Sequence, residues 1–409
     1  MNKYFFIKDY CEIVNGDKGS LLYDIKNQKM FSFDFLSGKI VNAFEQKQTL
    51  KSINDTYGEK NVNSIISELL KQNLGYYSED SFYQEKFRVG RNTFSFLEIT
   101  PFLNTCFIEL PTDCNKNCYF CNYDKYYACE TCTKPKFLKR EINEKRYYEL
   151  LNNVLLLDFK KLVFHGGDPI TNWGTLYKLL QYVRQKSQNN ITIIVKTNGE
   201  LLKENIIDFF ISYNINPLLV FDCTKNYEIK LSQKLTNINY LLKKMYNNNL
   251  LYYANVVVDY NTASNLDNIY QFLKEYNFKH ISNSVVIKKN SIPDIVTKLN
   301  LNDRAFYNFN FQKQYHPCLN GNIAITSDRK IIPCPSMYEN IIIDLDKQDF
   351  LSCFEVKDNI QSYWKLSLDK IEVCKKCEYR YSCTDCRSLD EKICHNLYGK
   401  KLCERILVK

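Results

Sequence analysis

The sequence predicts an α/β protein: a parallel sheet with helices outside it, preceded by a small helical unit and followed by a cysteine-rich tail. Three observations carry the prediction. Between residues 104 and 290, six apolar runs alternate with helical patterns. Residues 1–80 pattern as a hairpin and three helices. Cysteine is over-used, 17 in 409 residues, and most lie in two spaced groups. A chain of this length exceeds one ordinary core, so two or three domains are expected.

"LLYDIKNQKMFSF" (21–33) reads as a hairpin turning at Asn27 and Gln28. "DFLSGKIVNAF" and "TLKSINDTYG" are short helical patterns. In "EKNVNSIISELLKQNLG", Val62, Ile65, Ile66, Leu69 and Leu70 share one face, and Gly75 supplies the stop. A hairpin and three helices make a winged-helix pattern. The polar stretch 76–92 reads as linker, which places a first domain at 1–80, a linker at 81–103 and the sheet-bearing domain at 104–300. The candidate strands are 106–110, 161–166, 191–197, 217–221, 252–258 and 282–287. Helical patterns at 143–157, with Tyr147, Leu150, Leu151 and Val154 on one face, and at 265–276 lie between them. Such units imply an open barrel or a doubly wound sheet. Either way the chemistry belongs at the carboxyl ends of the strands. The last domain, 301–409, is dense in thiols from residue 316 and has little periodicity, the profile of a segment held by metal rather than by a hydrophobic core.

The composition, 45% hydrophobic and 25% charged, is that of a soluble globular protein. No apolar run approaches the roughly 18–20 residues of a membrane span. The start, "MNKYFFIKDYCEIVNGDKG", has no secretory-signal pattern, so a cytoplasmic location is expected. Clustered cysteines in such a chain point to metal or iron–sulfur chemistry rather than a disulfide framework. The formal charge of +9 does not argue for nucleic acid: no basic block stands out, and ligating thiolates would offset much of the excess.

"CNKNCYFC" (114–121) sets Cys114, Cys118 and Cys121 in a loop after the first sheet strand. Three thiolates from one loop can hold three irons of a 4Fe-4S cluster and leave the fourth without a protein ligand. A structural zinc is the alternative, but zinc usually pairs one CxxC with a distant second pair. Phe120 either covers a cofactor or simply packs.

CxxxCxxC after the first strand of a partial (β/α)6 TIM-type barrel resembles the signature of the radical S-adenosylmethionine superfamily. "HGGDP" (165–169), after the second strand, is similar to that family's methionine-binding GGE motif, with Asp168 in place of the common Glu. "KTNG" (196–199) follows the third strand. Each of the last two alone is only a turn; three matches in order at three successive strand ends are specific. The resemblance implies that Gly166, Gly167, Asp168 and Asn198, with Phe120, contact S-adenosylmethionine. It implies that this cofactor ligates the open iron through its amino and carboxylate groups. One electron from the reduced cluster would then release a 5′-deoxyadenosyl radical that abstracts hydrogen from substrate.

The tail resembles the SPASM domain, which holds two auxiliary 4Fe-4S clusters. Carried over by position, Cys318, Cys334 and Cys386 would serve one cluster, and Cys374, Cys377 and Cys383, with Cys394 or Cys403, the other. There are departures. "CKKCEYRYSCTDC" ends in CxxC where CxxxC is commoner, and Arg329 stands where a glycine is usual before the second cysteine. Two zinc ribbons are the alternative. "IIPCPSM" and "KICHNLYG" resemble the SPASM peptide maturases of grasp-with-spasm systems, in which the radical cysteines are often degenerate; here they are intact. Matching "KICHNLYG" to their ending would make Cys394 the ligand.

The N-terminal unit resembles the recognition element fused to many enzymes that modify ribosomal peptides, which takes a leader peptide as an added strand. Together these resemblances imply an oxidoreductase that binds a precursor peptide and forms a thioether or carbon–carbon cross-link, fed by a flavodoxin- or ferredoxin-type reductant. Peptide epimerisation, sulfatase-type maturation and non-catalytic peptide binding are the alternatives. Cys129 and Cys132 are candidate hydrogen donors for epimerisation. Cys11, Cys106, Cys223 and Cys353 are expected to be inert buried thiols. His165 is expected to pack rather than catalyse.

Overall fold

The computed structural model describes residues 3–86, 103–112, 114–116, 118, 120–121, 125–127, 143–187, 191–224, 227–259, 261–288, 309–355 and 359–403. Cys129 and Cys132 lie outside them. The chain opens with strands β1 (Tyr4–Ile7), β2 (Cys11–Asn15), β3 (Ser20–Asp24) and β4 (Lys29–Phe33). The β3–β4 hairpin turns where expected: Gln28 takes the left-handed φ of 58° and the Asp24 carboxylate accepts from the Asn27 N–H at 2.9 Å.

Helices α1 (Phe35–Glu45), α2 (Leu50–Tyr57) and α3 (Glu59–Lys71) follow. Asp34 and Thr49 cap the first two, accepting from Ser37 N–H and Ser52 N–H. Val62, Ile65, Ile66 and Leu69 are buried as the pattern requires, but Leu70, at the edge of that stripe, is exposed. The helix ends at Lys71, ahead of the expected Gly75, which instead opens strand β5 (Gly75–Ser78). β5 pairs antiparallel with β1, so the start of the stretch read as linker is a strand. The sequence reading also missed β1 and β2. β2, β3 and β4 form a three-stranded antiparallel sheet.

The main sheet contains all six expected strands: β6 (Thr105–Glu109), β8 (Lys161–His165), β9 (Thr192–Thr197), β10 (Ile215–Asp222), β11 (Tyr253–Val258) and β12 (His280–Lys288). They lie side by side in sequence order, and every neighbouring pair is parallel. A doubly wound sheet would reverse that order at a switch point. This one does not, which is the winding of a TIM-type barrel. Short β7 (Lys125–Tyr127) closes antiparallel onto β12. Helices α4 (Glu144–Leu155), α5 (Trp173–Ser187), α6 (Glu204–Ser212), α7 (Tyr227–Asn247) and α8 (Leu266–Glu275) cover the outside. Alternate strand residues, such as Ile108, Phe164, Val195, Leu219 and Val256, pack against them in one core.

The tail departs from the expectation of a metal-held segment. After α9 (Phe309–Gln312), strand β13 (Asn322–Ile325) pairs parallel with β6, and β14 (Lys330–Ile332) and β15 (Ile343–Asp344) continue the sheet to ten strands. Ile323, Ile325, Ile331 and Trp364, the last on α10 (Ile360–Trp364), are part of the barrel's own core. Beyond them α11 (Arg387–Cys394) sits among the late cysteines. Among the described residues, no helix is long and apolar enough to cross a membrane.

Candidate active site

Because the strands are parallel, the loops after β6, β8 and β9 emerge at one edge of the sheet. They are bonded to one another there. The Leu110 N–H donates to the His165 carbonyl at 2.7 Å, and the Thr112 hydroxyl donates to the Gly166 carbonyl. Gly166 has φ +109°, and a Cβ at this position would collide with the Leu110 carbonyl, so the approach of the two loops requires glycine. Asp168 is fully buried, and its carboxylate accepts from the Thr197 hydroxyl at 2.8 Å, the Asn198 N–H at 2.9 Å and the Ile170 N–H at 3.1 Å. Asp168 is thus a strut between the second and third loops. Burial raises its pKa, and those three donors pull it back.

Held this way, Asn198 reaches the cysteine loop. Its Nδ2 donates to Cys114 Sγ at 3.4 Å and to Asn115 Oδ1 at 2.9 Å. Lys116 and Asn115 contact Glu200, one residue past the TNG turn. Phe120 is buried against Val220, Val257 and Val286 on the inner faces of β10, β11 and β12, with Cys118 and Cys121 beside it. The ring therefore pins the cysteine loop into the barrel mouth. A cavity of about 350 Å³ opens alongside, lined by Cys118, Asn198, Glu200, Asp222 and Lys234 among others.

Residues 108–221 match the family model of the radical SAM superfamily. The chain carries a radical SAM domain. It is 24% identical over 286 residues to the radical SAM cyclopropyl synthase TigE of Paramaledivibacter caminithermalis, covering 64% of this chain and 60% of that one. It is 25% identical over 189 residues to a cysteine-type anaerobic sulfatase-maturating enzyme of Clostridium novyi, covering 42% and 47%. The chain thus spans less than two thirds of either relative. Among solved structures, Streptococcus suis SuiB bound to precursor peptide SuiA superposes with a TM-score of 0.54 at 14% identity, over 98% of this chain and 100% of that one. anSMEcpe with bound AdoMet and the Cp18Cys peptide gives 0.53 at 17%, over 72% and 92%. These likenesses show a shared fold.

A radical SAM domain implies S-adenosylmethionine and one 4Fe-4S cluster, and the residues present fit them. Cys114, Cys118 and Cys121 are partly exposed on one loop at the mouth of the barrel. Burial, and then Asp222 and the other two thiols, push Cys118 up to about 12. Capture of metal by this loop therefore displaces protons. Among the described residues, no three His, Cys, Asp or Glu side chains converge as a site for a single metal ion.

In the tail, Cys374, Cys377 and Cys383 influence one another electrostatically, and Cys403 acts on Cys383 in the same way. The neighbours that most affect Cys394 after its burial are Asp390, Lys401, Arg387 and Lys400. The tail also has an organiser that the sequence did not reveal. His316 Nδ1 accepts from the Cys318 and Leu319 N–H groups, each at 3.0 Å, so its proton sits on Nε2, 3.0 Å from Asp385. Asp385 in turn meets Lys400 at 2.7 Å, and Lys400 meets Asp390 at 2.6 Å. This buried network ties the loop of Cys318 to the segment of Cys386. A lone histidine and scattered charges gave no signal of it.

The inert-thiol expectation fits the four other described cysteines. Cys11, Cys106, Cys223 and Cys353 are buried, and burial raises the pKa of each.

Proposed function

We propose that this protein modifies a ribosomally made precursor peptide by hydrogen abstraction, as a radical S-adenosylmethionine oxidoreductase of the cytoplasm. The observation that carries this reading is the bonded chain Cys114–Asn198–Asp168, which joins the cysteine, GGDP and TNG loops at one barrel edge. Cys114, Cys118 and Cys121 would hold the cluster. Gly166, Gly167, Asp168 and Asn198 would shape the cofactor's seat. When bound, the cluster and S-adenosylmethionine supply one-electron chemistry that the side chains lack. The protein's part is to exclude water and aim: Phe120 seals the barrel mouth from below, and Asp168 fixes the Asn198 amide against Cys114.

In the tail, Cys318, Cys334 and Cys386 would serve one auxiliary cluster, and Cys374, Cys377 and Cys383, with Cys394 or Cys403, the other. Auxiliary clusters suit a product oxidised by two electrons, hence a thioether or carbon–carbon cross-link, with an external flavodoxin- or ferredoxin-type donor. Residues 1–80 would take the leader as an added strand on their sheet.

The test is anaerobic reconstitution. Reduced protein with S-adenosylmethionine is expected to yield 5′-deoxyadenosine, and alanine at Cys114, Cys118 and Cys121 to abolish the yield. An unchanged yield in that triple variant ends the radical reading.

A further inference from the structure

At the same edge of the sheet, between α4 and the β13–β14 hairpin, lies a second cavity of about 470 Å³. It is lined by Pro111, Tyr147 and Thr326 and, as charged groups, Arg146, Arg329 and Asp346. Its size suits a side chain with its flanking backbone.

The hairpin that forms one wall is unusual. Thr326–Arg329 closes as a tight turn, with the Arg329 N–H donating to the Thr326 carbonyl at 2.9 Å and the Thr326 N–H to the Lys330 carbonyl at 2.9 Å. Arg329 follows that turn in the left-handed region, at φ +65°. Glycine is the default in this place, because any side chain is strained there.

The side chain of Arg329 lies along the cavity wall. Arg329 Nε is 2.8 Å from Asp346 Oδ1, and its Nη2 is 3.3 Å from the Leu345 carbonyl. Arg146 approaches the same Asp346 oxygen only at 3.5 Å and is half-exposed. Two guanidinium groups therefore share one carboxylate, and the lining keeps one net positive charge. Of the acids behind the wall, Glu109 is buried and held by Tyr338 and the Ser327 N–H, and Asp328, in the turn itself, accepts from the Thr326 hydroxyl at 2.6 Å. Guanidinium donors with a single shared acid suit a planar anion that accepts two bonds at once.

We propose that this cleft is a carboxylate receptor for the peptide substrate, with Arg329 and Arg146 gripping an acidic side chain or a chain-terminal carboxylate. The proposal rests on the peptide-modifying reading, but its test does not need the clusters. Arginine labelling by phenylglyoxal, mapped by mass spectrometry on the full chain, reports the two sites directly. N-acetylglutamate α-amide at about 50 mM, a concentration that detects millimolar binding, is expected to slow labelling of Arg146 and Arg329 about fivefold at matched ionic strength. The neutral N-acetylglutamine α-amide is expected not to. N-acetylglutamine, whose only charge is the α-carboxylate, distinguishes a terminal carboxylate from a side chain. Arg329→Gly relieves the strained turn and should fold at least as well, yet it should remove the protection at Arg146. Equal protection by acid and neutral amide, no protection by either acid, or full protection of Arg146 in the glycine variant each overturns the proposal. Formation of 5′-deoxyadenosine tests the radical reading separately, so the two can fail independently.

Discussion

His165 and Asp168 sit three residues apart at the same strand end and are buried to opposite effect. Asp168 meets three donors and serves as a strut. His165 lies edge-on to Phe107, and its Nε2 finds no partner among the described residues. Burial first, and then the Lys196 charge, drive its pKa well below the ordinary value. The ring is therefore neutral in the folded protein, which supports a packing role over an acid–base one. The sign follows from linkage. An unfolded chain protonates this histidine near pH 6.5, and the folded one does not, so its contribution is whole above that pH and is lost as pH falls. The slope is about 1.4 kcal/mol per pH unit below about 6.5. Urea unfolding near pH 7.5 and near pH 5.5 should show wild type losing more stability than His165→Gln over that interval, by about 1.4 kcal/mol. Parallel losses in the two proteins would mean that the ring titrates normally in the fold.

Between elements, the most consequential contact is one the hairpin makes with the tail. Tyr23 on β3 is buried; its hydroxyl donates to the Glu378 carbonyl at 3.1 Å and lies 3.0 Å from the Ser382 hydroxyl. Both partners sit in the loop between Cys377 and Cys383. Asp17 N–H to the Lys376 carbonyl, Arg380 to the Asn15 carbonyl, and the packing of Val14, Leu21 and Tyr23 against Phe309 and Tyr381 extend the seam. Tyr23→Ala removes an aromatic anchor, a class of change that costs about 3–5 kcal/mol. Hydrogen exchange should then quicken together in 20–33 and 376–382 while β8–β11 stay protected. Unchanged exchange in 376–382 would show the seam to be incidental. None of this seam was legible in the sequence. The six barrel strands were, because strands covered on both faces read as apolar runs, and the three loops were, because their motifs, two of them mere turns when taken singly, fall in order at three successive strand ends. β1 and β5 were missed because each is four residues long and its partner lies some seventy residues away. The His316–Asp385–Lys400 network was missed because, in a sequence, its members look like ordinary surface charge.

For the molecule as a whole, the question is what holds the tail. The sequence pointed to metal alone, yet β13 joins the barrel sheet in register, from Asn322 opposite Thr105 to Ile325 opposite Ile108. Ile323 and Ile325 are essentially inaccessible and share a core with Cys106, Ile108 and Phe164. β13 also covers the edge of β6, which would otherwise present unpaired backbone to solvent. Barrel packing thus anchors the tail's first half, and metal on the cysteine groups, as proposed above, would add to the buried His316–Asp385–Lys400 network in holding its second. The two separate in metal-free protein kept under reducing conditions. If packing anchors the first half, Ile323→Ala should cost about 2–5 kcal/mol there, the usual toll for emptying a buried aliphatic site. Exchange should rise first at β13 and along the adjoining edge of β6. If metal alone held the tail, the metal-free protein would already have released β13, and Ile323→Ala would leave its urea midpoint where it was. Equal midpoints for the two metal-free proteins would restore the picture of a tail tethered by its thiols. A lower midpoint makes β13 a working strand of the barrel, so that the loops from Cys318 onward hang from the same frame that positions Cys114, Cys118 and Cys121.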